Sequence, residues 1–278
     1  MNGIAATLKT CLSIFRIKTA ESLQYRMAGL AGATTSIFFA LIEITVYTVF
    51  YKYSSNQNAG LAAGLSLRQA VSYVWLGQLL FLMQPNFIES DILGKINSGD
   101  IGVELCRPLD LYANWFARTA STRLSPLLWR GLPIIFFAVI MPPAYRLELP
   151  SSLSGMFCSL ISTVSALLLC TSFGMLACSV RLGIAWGEGP TNIIMLAGSV
   201  LSGAYLPLQL WPGFLQGFLL FQPFAGYLDI PMRLYLGTMP PSDAFWAIGL
   251  QLAWALLFAA AGKAIMARKL RNIVIQGG

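Results

Sequence analysis

The sequence predicts an all-α, polytopic membrane protein: six transmembrane helices, an N-terminal interfacial amphipathic helix, and a re-entrant hairpin before the last span. Three observations carry this reading. Of 278 residues, 56% are hydrophobic and only 10% charged, whereas a soluble domain carries roughly 25% charged residues. With a mean hydropathy of +0.68, the chain has too few charges to cover a water-facing surface of its size, so the bilayer is its solvent. Apolar runs of spanning length recur along it, and its charges gather at the two ends and in one central loop, as membrane topology requires.

The elements follow in order. Residues 1–27 read as an interfacial helix, because Ile4, Leu8, Leu12, Phe15 and Leu23 recur at helical spacing while Lys9, Arg16 and Lys18 take other faces. Those same cations interrupt the apolar core that a signal peptide would need. A spanning helix needs ~20 apolar residues, and six runs qualify: 28–51, 70–88, 124–142, 153–180, 190–206 and 244–267. A further apolar stretch, 207–231, contains Pro207, Pro212, Pro223 and Pro231. Kinked backbone exposed to lipid leaves polar groups unpaired, so this stretch suits a re-entrant or interfacial hairpin better than a span. Thirteen Lys and Arg fall on one side and four on the other, with Arg130 inside a span. The chain is therefore expected to lie in the plasma (inner) membrane with both termini cytoplasmic, as a single transmembrane domain over 1–278.

Several chemistries are excluded or weakly supported. The chain has no histidine, which removes imidazole from any proton relay, triad or metal site. Its five cysteines lack metal-ligand spacing and read as small buried thiols. Glycine pairs at 29–35, 60–67 and 98–105 lack the lysine of a phosphate-binding loop. No catalytic residue, metal ligand or bound cofactor is therefore expected. Gly183/Gly187 and Gly213/Gly217 have the spacing of helix-contact faces. No clear internal repeat is visible, which counts against an inverted-repeat transporter.

Two charges lie inside expected spans, where ionisable residues are functional candidates. Glu43 falls in the outer half of the first span, and two readings fit it. One is a carboxylate facing a protein-lined cavity on a substrate path; the other is a protonated acid bonding to a neighbouring helix. Arg130 falls near the inner end of the third span, where it is expected to snorkel toward the headgroups.

The polar island is the central loop, 89–123, around KINSGDIGVELCRPLDLY. Gly94 and Gly99 break helices, and Pro108 restricts Arg107 to an extended conformation. Short helices are expected near 89–97 and 100–106, with Leu105, Leu109 and Leu111 packed back on the membrane-proximal helices. Asp100, Glu104, Arg107 and Asp110 then remain for an outside partner. The loop is too small to form its own core, so it reads as a knob inserted into another protein's groove.

Ile96, Ser98, Gly99, Ile101, Leu105, Arg107, Pro108 and Leu109 resemble the cytoplasmic-loop segment of ABC transporter permeases of the type-2 exporter class. SGAYLPLQLWPGFLQGFLLFQPFAGYLDIPMRLYLG, residues 202–237, resembles the re-entrant region of the same subfamily, and the order of elements agrees. The resemblance implies a transmembrane subunit that exports an amphipathic or hydrophobic substrate by alternating access. It implies a second permease subunit, identical or related, and a separately encoded cytosolic ATPase that binds the ATP and Mg. It implies ATPase coupling through Ser98, Gly99, Asp100, Glu104, Arg107 and Pro108. An ion- or proton-coupled secondary transporter is the alternative, and Glu43 is its support.

Overall fold

The computed structural model describes residues 12–17, 19–21, 26–56, 65–85, 88–98, 101–106, 110–182 and 189–271, and among these there is helix and no strand. Eleven helices follow in order: α1 Arg26–Asn56, α2 Leu67–Leu80, α3 Ser90–Ser98, α4 Ile101–Leu105, α5 Leu111–Trp129, α6 Gly131–Ile140, α7 Leu153–Arg181, α8 Gly189–Leu201, α9 Gly213–Phe221, α10 Asp229–Leu236 and α11 Ala244–Leu270. Residues 12–17 and 19–21 are also helical; the rest of the expected interfacial helix lies outside the described residues.

Helices stand at all six places where spans were expected, but among the described residues four are long and apolar enough to cross a membrane: Gly29–Tyr53, Leu111–Ile140, Leu153–Arg181 and Pro241–Leu270. The second expected span is shorter than its apolar run. Here α2 has 14 residues and a 3-10 turn over Phe81–Met83 follows, ending at an extended Gln84. Pro85 comes next and offers no N–H to continue the ladder. The fifth is 13 residues long. The third is longer than expected, because Asp110 caps α5 by accepting from the Ala113 N–H at 3.0 Å. That helix is broken at Arg130, where Pro133 lacks the N–H that would bond to the Trp129 carbonyl.

Prolines punctuate the stretch before the last helix. Pro207 precedes a 3-10 turn at Leu208–Leu210, Pro212 precedes α9, and Pro223 opens a 3-10 turn running to Tyr227. Pro231 does not break the chain as expected. It sits in the first turn of α10, where the missing N–H has no intrahelical partner to lose.

The most extensive packing joins α7 to α11. The buried stripe of α7 runs Gly155, Ser159, Ser162, Ala166, Leu169 and Cys170, then Phe173, at the 3–4 residue spacing of a helix-contact face rich in small residues. Its hydroxyls are used: Ser159 donates to the Pro231 carbonyl at 2.8 Å, and Ser162 to Gln251 Oε1 at 3.0 Å. Gln251, buried two turns into α11, donates in turn to the Gly226 carbonyl at 2.8 Å. A second core joins α1, α2 and α6 through Ala33, Ala40, Ile44, Val71, Trp75, Ile134 and Ala138. Outward faces carry large apolar side chains, among them Phe38, Phe136, Phe157 and Phe245, as a bilayer-solvated protein requires. The expected contact glycines Gly213 and Gly217 face open space within this chain, and Gly183 and Gly187 lie outside the described residues.

Gly203 has φ +84°, and a Cβ there would fall 2.5 Å from the Tyr73 hydroxyl. Gly203→Ala is expected to destabilise the fold by about 1–2 kcal/mol for the left-handed backbone alone, with more from the clash. Gly249→Ala on α11 meets nothing within 4 Å and is expected to be neutral or stabilising by up to ~1 kcal/mol. Thermal unfolding of both variants in detergent, followed by circular dichroism, checks the pair.

Candidate functional site

The central loop folds onto one end of the bundle. Ile92 of α3 and Ile101 of α4 are buried with Leu111 and Trp115 of α5, Met175 and Cys178 of α7, Leu182, and Met266 of α11. The loop thus borrows its core from three long helices.

Electrostatics fix its orientation. Glu104 is 6% exposed. It accepts from Lys95 Nζ at 2.7 Å and from the Trp115 indole at 2.8 Å, with Arg118 Nη2 at 3.4 Å. Asp91 completes the network, 3.1 Å from Arg118 and 3.6 Å from Lys95. Burial pushes the Glu104 carboxyl up. The bonds from Lys95 and Trp115 and the charges of Arg118 and Lys95 outweigh it, so the group sits below the usual carboxylate range.

This reverses the expected arrangement. The acid was expected outside and the leucine inside; Glu104 is buried and Leu105 is 42% exposed. The physical reason is that Lys95 and Arg118 supply two positive partners within reach, which offset the desolvation of one carboxylate. Leu111 does pack inward. Asp110 caps α5 and pairs with Lys263 at 3.1 Å, so it is not free for a partner either. Cys106 is an exposed thiol, unlike buried Cys170 and Cys178, which corrects the expectation for it. Ser98 ends α3 and is exposed. Gly99, Asp100, Arg107, Pro108 and Leu109 lie outside the described residues.

Within the bundle, Glu43 accepts from Gln78 Nε2 of α2 at 3.3 Å. It lines a cavity of about 440 Å³ with Tyr47, Phe50, Tyr205 and Leu210. Features of both readings of Glu43, a cavity wall and a bond to a neighbouring helix, therefore coexist. Arg130 does not point freely outward. A Cβ on Gly32 of α1 would lie 2.3 Å from its guanidinium, and the 10 residues of α6 separate it from the far helix end by about 15 Å.

Of the buried polar groups that escaped the sequence reading, three tie elements together. Asp229, fully buried at the start of α10, accepts from the Tyr73 hydroxyl at 3.1 Å and lies 3.6 Å from Arg233; the i, i+4 spacing of 229 and 233 was its only signal. Gln251 had none, being one amide in an apolar run. Arg123, counted among the loop charges, is 5% exposed and donates to the Met83 carbonyl at 3.3 Å. Among the described residues, no three Cys, Asp or Glu side chains gather as a metal site.

A helical bundle with lipid-facing aromatics and a loop locked to one end defines a multi-pass membrane protein. More particularly, the chain belongs to the ABC-2 transporter family: the model for ABC-2 family transporter proteins matches residues 37–277. Proteins of this family are membrane subunits, generally without catalytic activity, that normally work with an ATPase partner. No curated protein and no solved structure matches the chain.

Glu104→Gln removes the negative member of the buried cluster and leaves Lys95 and Arg118 short of a partner. Charged hydrogen bonds of this kind contribute on the order of 2 kcal/mol, so amide hydrogen exchange over 101–106 is expected to quicken about 30-fold. Because the folded Glu104 titrates below its unfolded value, its contribution is complete above the unfolded pKa, roughly 4.3. The contribution is lost as pH falls through the folded value. Wild-type protection factors in this segment, corrected for the intrinsic pH dependence of amide exchange, should therefore fall in acid, and the variant should lose that dependence.

Proposed function

We propose that this permease is the transmembrane half of an ATP-driven exporter. It moves an amphipathic or hydrophobic molecule, such as a drug, peptide or lipid-like compound, out of the cytoplasm or the inner leaflet by alternating access. The chain pairs with a second copy or a related subunit in the plasma (inner) membrane. Six passes, the shorter α2 and α8 included, put both termini in the cytoplasm. The 207–231 stretch forms an outer re-entrant hairpin. ATP and its magnesium belong to a separate cytosolic ATPase.

The observation that supports this best is the mechanical coupling of the α3–α4 loop. Its underside is continuous with the cores of α5, α7 and α11, and its ion network ties α3 and α4 to α5. A push on the exposed Leu105–Cys106 edge is carried into three long helices at once. By this reading Leu105 is an apolar contact for the ATPase, and Ser98, Gly99, Asp100, Arg107 and Pro108 couple to it as the family resemblance implies. Glu104 shapes that edge from beneath.

A second reading draws on Glu43, a carboxylate within α1 that borders a cavity. Acids in such positions serve proton relays and ion-coupled transport.

Affinity purification of the chain from its native host is expected to bring down an ATP-hydrolysing subunit. Leu105→Asp and Arg107→Glu should each lower substrate-stimulated hydrolysis on the order of tenfold, the size of a contact worth ~1.4 kcal/mol. Unchanged association in both variants would overturn the docking assignment.

Glu43→Gln separates the two drives. Export that needs ATP and survives the substitution with altered substrate preference supports the exporter with Glu43 on its path. Transport driven by an ion gradient without ATP, and abolished by the substitution, supports the ion-coupled reading.

A further inference from the structure

A separate cavity, about 430 Å³, lies between α1, α2 and α5, and its wall is unusually charged for the interior of a membrane bundle. Arg123 and Arg130 line it together with Gln78, Gln84 and a single acid, Glu89. Its size falls in the range of small-ligand sites.

Both arginines are seated by glycines. A Cβ on Gly174 would lie 2.6 Å from the Arg123 guanidinium, and one on Gly32 would lie 2.3 Å from that of Arg130. Their polar groups are not used up. Arg123 and Gln84 are each 5% exposed, yet Arg123 Nε and Gln84 Oε1 lack partners, as does Arg130 Nε. Arg123 stands 3.8 Å from Glu89. The Arg130 side chain has no hydrogen bond and no ion pair with any described residue.

Among the described residues, the charges that line the cavity do not balance. Two guanidinium groups face one carboxylate, and an uncompensated charge away from water is costly. One further negative group would neutralise the cavity. Guanidinium suits an oxyanion, because its planar N–H fork matches carboxylate and phosphate oxygens. Beside the hydroxyls of Thr35, Ser36 and Thr122, the wall has an apolar flank made by Phe81, Leu82, Pro126 and the 52% exposed Phe39. A small free anion would gain nothing from that flank and would be repelled by Glu89. An acidic group attached to hydrocarbon satisfies both halves.

We propose that this cavity binds the acidic headgroup, phosphate or carboxylate, of a lipid-like amphiphile, with Arg130 as its principal anion ligand and Arg123 as the second positive charge. The hydrocarbon leaves past Phe39 between α1 and α5. This names a ligand class that the exporter reading leaves open, and it rests on that reading only for transport. Binding is measured on the permease alone, so a failure of ATPase association leaves the binding result standing.

The test is equilibrium binding of radiolabelled dihexanoyl phosphatidic acid to the full chain purified in uncharged detergent, with competition by dihexanoyl phosphatidylcholine or inorganic phosphate. Saturable binding is expected, weakened at least tenfold in Arg130→Gln and unchanged in Arg146→Gln, which lies outside the cavity. Thr35→Trp fills the cavity from the α1 wall with both arginines intact and is expected to weaken binding as well. It decides the matter if Arg130→Gln does not fold. Wild-type binding in Arg130→Gln or in Thr35→Trp overturns the site. Equal competition by the phosphatidylcholine overturns the acidic specificity, and equal competition by inorganic phosphate overturns the lipid-like ligand.

Discussion

Inside an apolar slab a polar group has only the protein to bond with, and that constraint organises this chain from end to end. It explains why the described residues are helical, since a helix satisfies its own backbone. It also explains how hydroxyls on the long helices behave: Thr34, Thr35, Thr45 and Thr48 return their protons to carbonyls four residues back. Where the helical ladder fails, a side chain from another element takes over. The Gly226 carbonyl in the 3-10 turn after Pro223 is met by Gln251, and the buried Asp229 by Tyr73. The broken stretch before α11 is therefore held to the bundle by a few hydrogen bonds at fixed points as well as by apolar area.

The same constraint governs the central loop, although water is near. Glu104 goes under the loop because two cations and an indole N–H already converge there. Once it is buried, the helical repeat turns its neighbour Leu105 outward. An exposed leucine beside an exposed cysteine, on a loop whose underside merges with three long helices, makes a small, stiff apolar edge. A separate domain of this size would lack the core to be stiff. Stiffness here is borrowed from the bundle, which also makes the loop responsive to the bundle's movement.

One side chain links the cavity at Glu43 to the cavity at Arg130. Gln78 donates to Glu43, which lines one, and itself lines the other. One cavity wall carries an acid among aromatics and the other carries two arginines, and α2 stands between them. The shortness of α2 matters here: its helical ladder ends at the 3-10 turn over Phe81–Met83, so Gln84 and the Met83 carbonyl are free to meet Ser202 and Arg123.

Much of this was legible in the residues alone. Composition determined the solvent, and with the solvent the all-helical class. Apolar runs located the helices, prolines marked most of the breaks before the last one, and the loop and hairpin motifs pointed to the ABC-2 type that the family match shows. These are local properties, set by whether a segment is apolar and whether its backbone can donate. What only the tertiary structure decided is which way polar side chains face. Glu104 or Leu105 inward, Arg130 toward lipid or against Gly32, Asp229 exposed or sealed: each depends on partners distant in sequence, brought within about 3 Å by packing. A charge's orientation follows the field of its neighbours, and no single segment of the chain contains that field.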